Sequence, residues 1–115
     1  MRTPLVCVVV ESPYAGDVER HNRYLDACLR DCLRRGESPY ASHRMLLPAV
    51  LRDEAPHERR LGIDAGFAWA ELPGVRRVVY TDCGVSGGMA GAIVHAARIG
   101  QTVEYRRLRG EWANG

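Results

Sequence analysis

Two hydrophobic patterns alternate along the chain. Leu5-Val6-Cys7-Val8-Val9-Val10 is an unbroken apolar run rich in β-branched residues, the pattern of a strand covered on both faces in a parallel sheet. Between Val18 and Arg35 the period changes. Leu25, Cys28, Leu29, Cys32 and Leu33 recur at spacings of three and four, with Arg20, Arg23, Asp26, Arg30 and Arg34 opposite them. This is an amphipathic helix, which Asp17 is placed to cap and Gly36 to end.

Ser38-Pro39-Tyr40-Ala41 predicts a short second strand, and Pro39 suits its beginning or a sheet edge. Ser42 to Pro56, broken by Pro48, reads as a long loop, and such loops inside a small domain are often functional. His57 to Trp69 predicts a helix with Leu61, Ala65, Ala68 and Trp69 on one face, stopped by Leu72-Pro73-Gly74. Arg77 to Thr81 is a third strand, Asp82 to Gly88 a glycine-rich turn, Met89 to Arg98 a helix and Thr102 to Arg106 a fourth strand. The nine residues from Arg107 onward read as a frayed end.

Strand and helix alternate throughout, which predicts one α/β domain over residues 1–115. Its sheet is expected to be parallel and doubly wound, flavodoxin- or Rossmann-like, with four or five strands. Right-handed crossovers around a central first strand give the order 2-1-3-4. The order reverses between strands one and three, and open α/β sheets bind ligands outside the carboxyl ends at that point. Glu11 to Asp17, Ser42 to Pro48 and Asp82 to Gly88 converge there.

Composition narrows the partners. The 115 residues are 46% hydrophobic and 26% charged, with a formal charge of +2, an ordinary globular balance. Arginines are interleaved with acids except at Arg34-Arg35, Arg59-Arg60, Arg76-Arg77 and Arg106-Arg107. These pairs read as solvated helix ends or strand mouths, with a phosphate contact left open for one or two of them, and no nucleic acid polymer is expected. Cys7, Cys28, Cys32 and Cys83 contain no CxxC pair and read as free, buried thiols. Neither a metal nor a cofactor is expected. The longest apolar run is too short to span a bilayer and the start lacks a signal-peptide layout, so no membrane and a cytoplasmic location are expected. Small size makes a homo-oligomer the expected assembly.

Four places could carry chemistry. Asp82-Cys83-Gly84-Val85-Ser86-Gly87-Gly88 joins a buried strand to a helix, and its glycines let backbone N–H groups approach an anion at the helix start. Ser86 can cap that helix, and Asp82 at a strand's carboxyl end reads as ligand-directed. Ser12-Pro13-Tyr14 lies at the mouth of the first strand, where Tyr14 can stack on a planar base and Ser12 can donate to a phosphate or sugar. His43, at the end of the second strand, and Asp64, on a helix otherwise small and apolar, complete the set.

The run Val8-Val9-Val10-Glu11-Ser12-Pro13-Tyr14, a helix with Asn22, Pro39-Tyr40-Ala41-Ser42-His43, and Thr81-Asp82-Cys83-Gly84-Val85-Ser86-Gly87-Gly88-Met89 together resemble the nucleoside 2-deoxyribosyltransferase superfamily. The likeness covers roughly residues 5 to 106 and is closest to the short, phage-associated members. It implies a flavodoxin-like sheet, a nucleoside pocket formed by Ser12, Pro13, Tyr14, Asn22, His43, Asp82, Gly84, Ser86, Gly87, Gly88 and Met89, and oligomers in which a neighbour completes the site. In active members of that superfamily a Glu on the first turn of the last helix attacks C1′ of the sugar. Here that turn reads Gly88-Met89-Ala90-Gly91-Ala92-Ile93, without a carboxylate. The resemblance therefore implies a domain that binds a nucleoside or nucleotide without cleaving it, such as one sequestering an ADP-ribose-type signal. The alternatives are a deoxyribosyltransferase or N-glycosidase using Asp82, Asp64 or Glu11 in place of the missing Glu, and an interaction domain with a vestigial pocket.

Overall fold

The computed structural model describes residues 2–108 and Trp112. The elements run β1 (Val6–Glu11), α1 (Val18–Arg34), β2 (Glu37–Tyr40), α2 (Ser42–Leu46), α3 (Pro56–Ala70), β3 (Arg76–Tyr80), α4 (Gly87–Arg98) and β4 (Val103–Arg106). The four strands form one parallel sheet in the order β2-β1-β3-β4, as the alternation of elements predicts. Most of the frayed end expected after Arg107 lies outside the described residues; Leu108 and Trp112 pack against the core.

Strand alternation divides the core in two. Val8, Val10, Val78 and Tyr80 face α1 and meet Tyr24, Leu25, Cys28 and Cys32, all fully buried. Val9 and Val79 point the other way, toward the side of α3 and α4, where Ala70, Met89, Ala92 and Ala96 are buried. The periodic cysteines of α1 are thus core residues. Cys7, expected to be buried, is exposed near the start of β1, and Cys83 is half-buried.

The arginine pairs depart most from the sequence reading. Arg77 and Arg106 are buried, while Arg76 and Arg107 remain exposed. Arg106 reaches under α1 and binds Glu37 through both carboxylate oxygens, at 2.7 and 2.6 Å. The same guanidinium donates to Tyr80 Oη at 3.1 Å, and Tyr80 donates to Asp31 at 2.7 Å. Arg106 also pairs with Glu104. A buried cation survives only with its partners in place, and this network joins α1, β2, β3 and β4 on the α1 side of the sheet.

Among the described residues no helix is long and apolar enough to cross a membrane, and no group of three His, Cys, Asp or Glu is gathered to hold a metal ion.

Candidate functional site

The carboxyl ends of β1 and β2 open side by side because the strands are parallel neighbours. Their last paired positions are Val9 and Tyr40, and three residues beyond each lie Ser12 and His43. Ser12 Oγ and His43 Nε2 share a hydrogen bond of 2.8 Å. The stretch expected to be a long loop starts with a helical turn instead, since α2 begins directly after β2. That turn carries His43 back over β1, into a place that pairing along the chain does not reveal.

A cavity of about 190 Å³ opens at this switch point. One wall is the end of β1 with Glu11, Ser12 and Tyr14; the second is α2 with Ser42 and His43; the third is α3 with Arg59 and Phe67; the fourth is the start of α4, Ser86 to Met89. Gly66 permits the closure of α3 on α2: a Cβ at this position would stand 3.1 Å from Ser42 Oγ. The cleft thus gathers Ser12, Tyr14, His43, Ser86, Gly87, Gly88 and Met89 as the sequence suggests, together with Glu11.

Each wall contributes a different property. Ser86 caps α4, its Oγ accepting from the Met89 N–H at 3.3 Å. Gly87 and Gly88 leave the first turn bare, so its N–H groups and the positive end of the helix dipole are open to an anion. Arg59 lies over this turn, where a Cβ on Gly88 would be 3.7 Å from its Nη2. A guanidinium beside a helix N-terminus repels it unless negative charge lies near, and Asp53, at 3.2 Å from Arg59, supplies part of that charge. Burial and the nearby Arg44 push the His43 imidazole down to about 4, so at neutral pH it is an uncharged partner for Ser12.

Glu11 is the unusual group. Burial raises its carboxyl to about 7 against the opposing pull of Arg77. Arg77 Nε stands 3.6 Å from Glu11 Oε2, close enough to attract and too far for a hydrogen bond. Arg77 itself is fixed by donating to the Ala92 carbonyl at 3.0 Å and by its contact with His95 Nδ1 at 2.9 Å. His95 stacks on Phe67, centroids 3.9 Å apart, and meets Glu71 at 2.8 Å.

Five residues expected in the site lie outside the cleft. Asp82 is directed into the fold on the α1 side. It accepts from Tyr24 Oη at 2.6 Å and from the Leu108 N–H at 2.9 Å, while its own N–H donates to Tyr24 Oη at 2.9 Å. Gly84, at φ +81°, shapes the same turn without facing the cleft. Pro13 is buried beneath the β1 turn. Asn22, on α1, accepts from Arg44 through its backbone carbonyl. Asp64 is exposed and paired with Arg60 at 3.3 Å. It stands two residues from both Gly62 and Gly66, hence about 180° round the helix from the face they share. The sequence reading missed Phe67 and did not single out Arg59 among the arginine pairs, and the Gly62, Gly66 pair was the available signal that this face of α3 meets another element closely.

Asp82→Ala should therefore lower unfolding free energy by roughly 2 to 3 kcal/mol, because Tyr24 Oη and the Leu108 N–H lose a charged acceptor. Denaturant titration measures this. A stability within 0.5 kcal/mol of wild type, by the usual ~0.5 kcal/mol spread of neutral surface changes, would show that the Tyr24–Asp82 tie is dispensable.

Compared with known proteins, a family model described as Domain of unknown function (DUF7768) matches residues 6–106. No curated protein and no solved structure matches the chain.

Proposed function

The chain belongs to the DUF7768 family, and we propose that it is a nucleotide-binding domain that holds its ligand at the β1–β3 switch point without breaking the glycosidic bond. One observation carries this reading: a single cleft places a bare helix N-terminus and Arg59 together with the aromatic residues Tyr14 and Phe67, the latter with one ring face already stacked on His95. The first pair suits a phosphate and the second a planar base. At about 190 Å³ the cavity is smaller than the roughly 300–1,000 Å³ of sites that enclose a drug-sized ligand. That size favours a mononucleotide, partly exposed, over a dinucleotide. The likeness to nucleoside 2-deoxyribosyltransferases supports the same ligand class, and Ala92 on the first turns of α4 supports binding over transfer. The free thiols support a reducing, cytoplasmic setting.

A second reading, N-glycosidase, is favoured by Glu11 alone among the three acids considered, since Asp82 and Asp64 lie outside the cleft. Thermal-shift and mass-spectrometric assays on nucleosides and their 5′-monophosphates separate the two. Binding should stabilise the protein by about 2.7 kcal/mol when ligand is at 100 times Kd, with no base released. Gly88→Val should weaken nucleotide binding about tenfold or more, because its side chain stands where an anion would approach the α4 N–H groups. Base release at an ordinary enzymatic rate, on the order of 1 per second, would replace the binding reading by the glycosidase one. Neither stabilisation nor product would remove both.

A further inference from the structure

Glu11 sits at a junction between the cleft and a buried cation. Its side chain keeps 19% of its surface accessible, and this opening is toward the cleft it lines. Among the described residues its carboxyl makes no hydrogen bond. Behind it, Arg77 is fully buried, and among the described residues its Nε and Nη2 have no hydrogen-bond partner. An ionised Glu11 is thus drawn inward, where closing the 3.6 Å gap would satisfy the Arg77 Nε. A protonated Glu11 has no such pull and can offer its O–H to whatever fills the cleft.

We propose that Glu11 selects the charge state of the bound ligand, entering the complex as a neutral acid that donates a hydrogen bond, so that an anionic nucleotide is taken up together with one proton. This inference rests on the nucleotide reading of the cleft and adds a proton to it. The surrounding charges agree. From β3 the facing group is Arg77, whose charge is shared with His95 of α4 and, beyond it, Glu71. From α2 it is His43, held neutral and bound to Ser12. From α3 and the loop before it, Arg59 is already paired with Asp53, and Glu58 accepts from the Arg52 N–H. The first turn of α4 carries no ionisable side chain. A ligand anion brought in beside an ionised Glu11 would meet like charge in a poorly solvated site, whereas beside the neutral acid it gains a donor. The free carboxyl holds its proton up to about 7, so both forms are populated near neutrality, and an anionic ligand raises that midpoint further.

Isothermal titration of the common ribonucleoside 5′-monophosphates against wild type and Glu11→Gln between pH 6 and 8.5 tests this, with the variant cancelling the ligand's own titration. Wild-type affinity relative to the variant should fall about tenfold per pH unit above the free midpoint. Buffers of different ionisation heat should show one more proton taken up by wild type. In wild type alone, the ¹³C carboxyl signal of Glu11 should titrate at higher pH in the complex than in the free protein, a readout that stands even if the variant folds poorly. Parallel affinity profiles, or a Glu11 midpoint that ligand leaves in place or lowers, would overturn proton uptake while leaving the nucleotide reading intact. Absence of binding by wild type at every pH would overturn the nucleotide reading and the inference with it.

Discussion

Glu37→Ala should destabilise the domain by roughly 3 to 5 kcal/mol, the usual cost of stranding one member of a buried ion pair. Glu37 and Arg106 lie 69 residues apart in sequence and meet through two hydrogen bonds beneath α1. Without the carboxylate, Arg106 keeps, among the described residues, only Tyr80, the solvent-facing Glu104 and a long contact with the Cys32 thiol. The charge then sits in a space built to be neutralised. The Arg106 hydrogen bonds hold the Glu37 carboxyl below its ordinary 4.5. A depressed acid contributes stability that is present above 4.5 and lost as pH falls through its lower folded value. Wild type should accordingly lose stability in acid more steeply than the variant. Replacing both partners with methionine should recover much of the loss, since an apolar pair of similar length needs no counter-charge. Urea titration of the three proteins at pH 7 measures these differences. A loss below about 1 kcal/mol in Glu37→Ala, the scale of an exposed pair, would mean that the network contributes no more than a surface contact.

Glu11→Gln should stabilise the free protein at pH 8 by roughly 3 kcal/mol and change little at pH 4.5, where Glu11 is still protonated in the fold. The sign follows from proton affinity. The folded carboxyl holds its proton to about 7, whereas the unfolded one releases it near 4.5. A raised value contributes stability that is complete below 4.5 and is lost as pH rises through 7. Wild type thus carries an ionised, poorly solvated group at pH 8, while glutamine keeps the shape without the charge. Arg77 loses an attraction in the variant, but its pull on Glu11 is outweighed by burial, as the upward direction of the Glu11 value records. Unfolding curves for the two proteins at pH 5, 6, 7 and 8 should diverge steadily. Curves that remain parallel across that range would place Glu11 in ordinary contact with water. A more stable variant that binds ligand without proton uptake would set stability and function against each other at one residue, as expected where a site is strained for use.

The position of the cleft was legible because it depends on topology. A run such as Leu5 to Val10 has no polar alternation, and that pattern belongs to strands covered on both sides. Once such strands alternate with helices, right-handed crossovers leave few orders, and the carboxyl edge at the reversal becomes the place for a ligand. Ser12 and Tyr14 were found because they follow a strand directly, where the backbone itself delivers them, and Ser86 to Met89 because its serine and glycines mark the start of the next helix. Asp82 follows a strand just as directly and was misread for the same reason. Position at a strand end says that a side chain is near the carboxyl edge, but not which face of the sheet it joins.

The sequence by itself determined the alternation of elements, the parallel order β2-β1-β3-β4 and the edge at which a site forms, because periodicity and connection length are properties of neighbouring residues. The tertiary structure alone decided which charges go inside. Arg77 and Arg106 look like their exposed neighbours Arg76 and Arg107 until Ala92, His95, Glu37 and Tyr80 are brought around them. It also decided that Asp82 serves Tyr24, that His43 reaches Ser12, and that Glu11 faces a cleft with a buried guanidinium behind it. Whether a charge can be buried depends on partners that packing supplies from far along the chain, and the free energy of those encounters leaves no local period to read.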